Sequence, residues 1–147
     1  MFNSMNRASA YARVGRETGV AAADPHRLVM MLFDGAIMAI STARAEMLKG
    51  EIAAKGNAIS KAIEIIVNGL QVSLDLKSGG ELAERLAALY EYMSRRLIHA
   101  NLHNDQEALN EVADLLSGLR ESWEAISPTR ATQDQPQEPG HEFASRA

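Results

Sequence analysis

The amino-acid sequence predicts an all-α protein that folds as an antiparallel up-down four-helix bundle. Three observations support this prediction. Apolar residues recur at helical spacing through the middle of the chain, and no segment alternates apolar and polar residues over the length of a strand. Each helical run is bounded by residues that start or stop helices. The connections between the runs are short, which places consecutive helices side by side in opposite directions.

The helix boundaries follow from capping residues and glycines. Asp24 is a typical N-cap acceptor and Pro25 lacks the N–H that the first helical turn leaves unpaired, so a helix begins there. Gly50 provides the C′ position that ends this helix. Two further breaks, at 78–80 and 104–105, divide the rest of the chain. The predicted helices are 25–49, 51–76, 81–101 and about 105–127.

The bundle is predicted to occupy residues 24–127 as one domain in a chain of 147 residues. Residues 1–23 are expected to form an N-terminal arm or a short helix around Tyr11. Residues 128–147 contain three prolines and a single large apolar residue, Phe143. Such a segment cannot bury enough apolar surface to fold, so we expect this tail to be disordered.

Composition excludes several classes of function. The formal net charge of −4 gives no electrostatic reason to bind nucleic acid or an anionic membrane surface. The absence of cysteine removes disulfides, thiol nucleophiles and thiolate metal sites. The N-terminus lacks the apolar region of a secretory signal, and the longest strongly apolar run, 28–33, is far shorter than the roughly 20 residues of a membrane span. We therefore expect a cytosolic protein.

The polar residues form no recognisable catalytic or cofactor-binding constellation. The Glu-x-x-His spacing of di-metal bundles occurs only from Glu138 to His141, around a proline and a glycine. His99 and His103 are four residues apart but lack an obvious carboxylate as third ligand. No glycine-rich phosphate loop follows a predicted strand. The sequence predicts a protein that is not an enzyme and needs no metal or other cofactor.

The second helix carries apolar residues on two sides when 100° is allotted to each residue. One stripe is predicted to face the core: Ile52, Ile59, Ile63, Ile66, Val67, Leu70 and Leu74. The other is predicted to face outward and to bind a partner in a groove. The alternative is that the N-terminal arm or a more central position of the helix covers it. This second stripe comprises Ala54, Ala58, Ala62, Ile65, Val72 and Leu76.

Three further positions are candidates for partner contacts. Met31 and Met38 lie together about 100° from the core stripe of the first helix, where methionine suits an adaptable surface. Cover by the arm explains them equally well. Tyr92 projects away from the buried arc of the third helix and is bordered by Arg96, as an interface anchor would be. The alternative is a boundary tyrosine that rests on the neighbouring helix.

Several motifs, in uninterrupted order over about residues 10–128, resemble one bacterial family, the flagellar export chaperone FliS. Asp24 replaces a serine that is common before the first helix in this family, and Phe33 replaces a common tyrosine. The matching segments are Ala10-Tyr11-Ala12, Asp24-Pro25, Met31-Leu32-Phe33-Asp34-Gly35-Ala36, Leu74-Asp75, Gly79-Gly80-Glu81, Leu89-Tyr90-Glu91-Tyr92-Met93, Arg95-Arg96-Leu97, Ala100-Asn101 and Trp123.

The resemblance implies a helical bundle that binds the disordered C-terminal segment of flagellin in the cytosol, prevents premature polymerisation and aids delivery to the export gate protein FlhA. It also implies binding of the anti-sigma factor FlgM, no use of ATP or metal, and an arm around Tyr11 that covers part of the empty client site. The alternative is a non-enzymatic helical adaptor or regulatory protein that self-associates through its extra apolar stripes. The predicted partner-binding residues are Tyr11, Met31, Met38, Ala58, Ile65, Val72, Leu76, Tyr92 and Arg96.

Overall fold

The computed structural model describes residues 24–126. These residues form four helices with no strand among them, which confirms the predicted all-α four-helix fold. The N-terminal arm with Tyr11 and the tail 128–147 lie outside the described residues, so the predicted domain limits stay predictions. The helices are α1 (Pro25–Leu48), α2 (Ile52–Ile65, continued by a π-helical segment Ile66–Gln71), α3 (Leu76–His103) and α4 (Gln106–Ala125).

Contacts at both ends of the bundle join α1 to α4. At one end of the bundle His26 of α1 and Trp123 of α4 stack with ring centroids 5.0 Å apart. They also exchange two hydrogen bonds, His26 Nε2 with the Trp123 carbonyl at 2.8 Å and Trp123 Nε1 to the His26 carbonyl at 3.0 Å. At the other end Arg44 donates to Asn110. These contacts show that α1 and α4 are antiparallel.

The predicted helix starts are confirmed by their caps. Asp24 accepts a hydrogen bond from the Arg27 N–H, with Pro25 in the first turn. Asp105 accepts from the N–H groups of the first turn of α4. Between α1 and α2, Gly50 adopts a left-handed φ of 74°, which glycine reaches without steric cost.

The boundary between α2 and α3 differs from the prediction. The second helix ends at Gln71, and Leu76, predicted to close it, instead begins α3 after the cap Asp75. Gly80 interrupts α3 with φ 61° and ψ −141°, so the predicted start at Glu81 is correct only for the long part of this helix. Because a single capped turn precedes the glycine kink, the sequence pattern assigned Leu76 to the second helix and treated residues 78–80 as a break.

The predicted faces of α2 need a correction. Ala58, assigned to the outer stripe, is only 8% exposed and Ala62 is fully buried, whereas Ile52, assigned to the core, is 75% exposed. The physical reason is that α2 packs against both α1 and α3, so its buried arc is wide enough to include Ala58 and Ala62. Ala54 of the same stripe is exposed, as predicted. Beyond its first turn, the side of α2 exposed to solvent is polar, with Asn57, Ser60, Lys61, Glu64 and Asn68.

The core draws on all four helices, and α1 contributes eight buried side chains. By length and apolar composition α1 is the one helix in residues 24–126 that could cross a bilayer, but its buried face is that of a core helix. Tyr90 is buried in α3, as predicted, and this burial raises the pKa of its phenol to about 12. Trp123 packs half-buried at the edge of the core. The largest fully buried side chains are Leu28, Ile40, Ile59, Ile66, Met93, Leu97, Leu109, Leu116 and Val112.

Candidate partner-binding surfaces

Three of the predicted residues lie together along α1 and α2, and we call them the methionine face: Met31, Met38 and Ile65. Met31 is half-buried and Met38 is 69% exposed. Gly35 lies between them on the same side of α1, and a Cβ placed on it would lie 3.3 Å from Cδ1 of Ile65. The lack of a side chain at Gly35 therefore lets Ile65 lie against α1, and Ile65 becomes half-buried rather than fully outward.

A second apolar surface, absent from the prediction, lies at the end of the bundle where α1 turns into α2. Leu48 and Ile52 flank Gly50, and both are exposed. Ile98 and Leu102, also exposed, belong to the last turns of α3, which reach the same end. We call these four residues the end patch. These residues could have been identified from their positions in the sequence, because apolar residues near the ends of helices have few neighbours to cover them.

The opposite end of the bundle carries the remaining exposed large apolar side chains of residues 24–126. Leu76 and Leu82 lie at the start of α3, and Ile126 follows α4. Val72, predicted beside Leu76 on one helical stripe, is half-buried in the turn after the π-helical segment. Leu76 is therefore exposed to solvent, whereas Val72 is less exposed than its predicted place on the outward stripe requires. Ala58 offers no surface because it is buried.

Tyr92 and Arg96 are both bound to the neighbouring helix through Glu111 of α4. The Tyr92 hydroxyl donates to Glu111 Oε2, and Arg96 Nε donates to Oε1 at 2.8 Å. These hydrogen bonds, that of Tyr92 first, lower the pKa of the Glu111 carboxyl, and the one to Glu111 raises the pKa of Tyr92. The arrangement agrees with the boundary interpretation of Tyr92, since its polar end already has a partner.

Two histidines near Arg96, at the end of α3, contact each other. His99 and His103 have ring centroids 4.5 Å apart, and His99 Nε2 lies 3.2 Å from Asp105 Oδ2. Hydrogen bonds from the N–H groups of Ala108 and Glu107, with a further contribution from His99, lower the pKa of Asp105. No group of three or more histidine or carboxylate side chains in residues 24–126 could hold a metal ion.

A small cavity opens beside the end patch. Its volume is about 180 Å³, and one wall is formed by Lys55 of α2, a lysine that is only 5% exposed. Lys55 Nζ donates to the Asn101 carbonyl at 2.9 Å and to Asn104 Oδ1 at 2.7 Å, so it binds the end of α3. The other lining residues are Met47, Gly50, Glu51, Ile52 and Asn104.

Comparison with known proteins identifies the family. A family profile described as flagellar protein FliS matches residues 7–130. The flagellar secretion chaperone FliS of Salmonella typhimurium (strain LT2) is 51% identical over 125 residues, which cover 85% of this chain and 93% of that protein.

Two other relatives extend the match. FliS of Escherichia coli (strain K12) is 47% identical over 82% of this chain and 90% of its own length. The flagellar secretion chaperone FliSB of Pseudomonas aeruginosa is 43% identical over 84% of this chain and 98% of its own length. The chain therefore belongs to the FliS family of flagellar secretion chaperones.

Proposed function

We propose that this chain is a secretion chaperone for flagellin. It binds the disordered C-terminal segment of flagellin in the cytosol, prevents premature polymerisation and aids delivery to the export gate. Membership of the FliS family supports the general role, since its relatives are named flagellar secretion chaperones. This family is not an enzyme class.

The observation that carries the proposal is the distribution of exposed apolar side chains. They occur on the methionine face, in the end patch and at the opposite end of the bundle, rather than in one deep pocket. A disordered segment loses conformational entropy when it binds, so it needs apolar contacts along much of its length. Burying one large apolar side chain contributes roughly 1.5–3 kcal/mol, and several such contacts offset the ordering cost.

The remaining partners are proposed on the resemblance alone. FlhA would receive the chaperone with its client, and FlgM would be a second protein that the chaperone binds. The arm around Tyr11 would cover part of the client site when flagellin is absent. Cover of this kind lowers the apparent affinity by the fraction of molecules in the covered state.

Size-exclusion chromatography with flagellin tests the proposal. We expect the chain to co-elute with full-length flagellin and not with flagellin that lacks its C-terminal segment. The double variant Ile52→Asp/Leu102→Asp should lose co-elution and remain folded, because both side chains are largely exposed. Ser60→Asp, on the polar side of α2, is the matched control and should bind normally. Equal binding of both flagellins would refute a C-terminal client segment.

Light scattering separates this proposal from the self-associating adaptor. That alternative needs an outward apolar stripe on α2, and the burial of Ala58 and Ala62 removes the middle of that stripe. We expect a monomer that binds flagellin. A stable dimer that excludes flagellin would favour the adaptor instead.

A further inference from the structure

The junction between α3 and α4 is open toward the end of the bundle at which α4 stops. Tyr92 of α3 binds Glu111 of α4 across this junction. Gly118 follows Glu111 by seven residues and therefore lies on the same side of α4. A Cβ placed on Gly118 would meet no atom within 4 Å. The side of α4 that contacts α3 at Glu111 is thus uncovered about two turns further on.

The α3 side of this opening is apolar. Leu82, Leu86 and Leu89 share one side of the helix, because they are spaced four and three residues apart. Leu86 and Leu89 are half-buried against the core, whereas Leu82 is 68% exposed. The stripe of leucines therefore extends beyond the part of α3 that the bundle covers. We call Leu82, Leu86 and Gly118 the open groove.

The chain leaves the bundle beside the open groove. Leu82 lies about 15 Å along α3 from Tyr92. Ile126 is 61% exposed and lies about 22 Å along α4 from Glu111, toward the same end because the two helices are antiparallel. The residues after Ile126 start from α4, which packs against α3, whereas the chain before Asp24 starts from α1, which packs mainly against α2 and α4. The segment that follows Ile126 is therefore the one that begins next to the groove.

The sequence of that segment contains one side chain that suits an apolar groove. Phe143 is the single large apolar residue in 127–147, and it follows Ile126 by seventeen residues. A chain of this length spans at most about 58 Å when extended and about 23 Å as a random coil. The groove is within either distance of Ile126, whereas the end patch lies at the other end of α4, about 30 Å away. Binding at the groove therefore has the higher effective concentration.

We propose that Phe143 binds in the open groove, so that the segment after Ile126 covers Leu82. An aromatic side chain has a large apolar surface to bury, and an exposed leucine beside a helix surface without a side chain at Gly118 can receive it. The family profile ends at residue 130, so this contact is a feature of this chain outside the family match. It acts as an internal competitor for any partner that uses this end of the bundle. The inference does not depend on the flagellin client.

Paramagnetic relaxation enhancement in the full chain tests this contact. The chain contains no cysteine, so Ser145→Cys provides a single attachment point for a nitroxide label close to Phe143. We expect broadened amide signals at Leu82 and Gly118, and much weaker broadening at Leu102 in the end patch. In Phe143→Ser the broadening at the groove should fall at least about two-fold, because a single apolar anchor at millimolar effective concentration accounts for about half of the molecules.

Two exposed leucines provide matched variants for the groove itself. Leu82→Ser removes its most exposed side chain, and Leu102→Ser removes one of similar exposure, 72%, from the end patch. Both variants should remain folded, since neither side chain belongs to the core, and only Leu82→Ser should reduce the broadening at Gly118.

Each other result overturns the proposal. Broadening that is unchanged in Phe143→Ser refutes the anchor, and broadening centred on Leu102 refutes the place. No broadening at the groove, as expected if residues 1–23 occupy it instead, refutes the internal cover. A mixture of spin-labelled chain and ¹⁵N-labelled chain without nitroxide detects contacts between molecules. Broadening of the ¹⁵N signals in that mixture would assign the groove to a second copy and refute an intramolecular contact.

Discussion

Gly69 allows the close crossing of the π-helical segment over α1, and its replacement by alanine tests that packing. A Cβ at this position would lie 2.9 Å from Cδ2 of Leu32 and 3.3 Å from Cδ1. Leu32 is 7% exposed, so its side chain cannot move into solvent. Overpacking of this kind costs about 1–3 kcal/mol, whereas alanine in place of a helical glycine contributes about 1 kcal/mol of stability. We expect Gly69→Ala to lower the free energy of unfolding by about 1 kcal/mol.

Gly118→Ala is the matched control for this measurement. It lies within α4, and a Cβ there would meet no atom within 4 Å. Only the helix-propensity gain remains, so this variant should raise the free energy of unfolding by about 1 kcal/mol. Urea unfolding followed by far-UV circular dichroism gives both values. The difference between the variants, about 2 kcal/mol by these estimates, reports the steric contact alone.

Equal stabilisation by the two alanine variants would refute the close crossing. A double-mutant cycle then gives an independent check on the contact. Leu32→Ala alone should cost about 2–5 kcal/mol because it opens a cavity in the core. With that space available, Gly69→Ala should no longer destabilise the protein. A coupling free energy near zero between the two positions would show that their side chains do not meet.

Three further variants test the surfaces and the polar contacts. Glu111→Gln should weaken the ion pair with Arg96. The pKa of Glu111 in the folded protein lies below its ordinary value of 4.5, so the stability that its carboxylate contributes is present above that pH and is lost as the pH falls. The difference in the free energy of unfolding between variant and wild type should therefore become smaller at low pH, which unfolding measured over an acid pH series would show. His26→Ala should cost about 1–2 kcal/mol and alter the fluorescence of Trp123, the single tryptophan; unchanged emission would contradict the stacked pair. Met38→Asp should change stability by less than about 0.5 kcal/mol while weakening flagellin binding by more than about 1 kcal/mol in a titration; unchanged affinity would exclude the methionine face from the client site.

The helices could be predicted from the sequence because their start signals are local. Asp24 and Asp105 cap the helices that follow them by hydrogen bonds to N–H groups two or three residues ahead. Such a bond depends on neighbouring residues alone, so no tertiary information is required. The junction around Leu76 failed because a cap at Asp75 and a kink at Gly80 follow each other within one turn. Because these two signals are so close together, the sequence does not show whether the turn between them belongs to the second or the third helix.

The candidate site was less predictable because exposure depends on neighbours that the pattern does not contain. Helical periodicity gives the direction of a side chain around its own axis but not the number of helices packed against it. Ala58 is buried although it was assigned to the outer stripe, while Ile52 shares the core direction but lies in the first turn, where the bundle ends. The environment of Tyr92 likewise could not be predicted from its own helix, because its hydroxyl binds Glu111 of α4. Met38 is 69% exposed in the described part of the chain, which agrees with its predicted position away from the core stripe, and its role in partner binding stays a prediction.

The arrangement of the exposed apolar residues constrains how a client can be held. Beyond Ile52 in the first turn of α2, the side of this helix that faces solvent is polar and carries Ser60, Lys61 and Glu64. A single rigid client helix lying along this side of α2 would therefore meet polar side chains rather than large apolar ones. Short apolar segments joined by flexible links could bind the end patch and the methionine face separately, because no single segment has to contact both. Once the first segment is bound, the next binds at a raised effective concentration, so several weak contacts together give a higher overall affinity. This arrangement therefore supports the proposal that the client is a disordered segment.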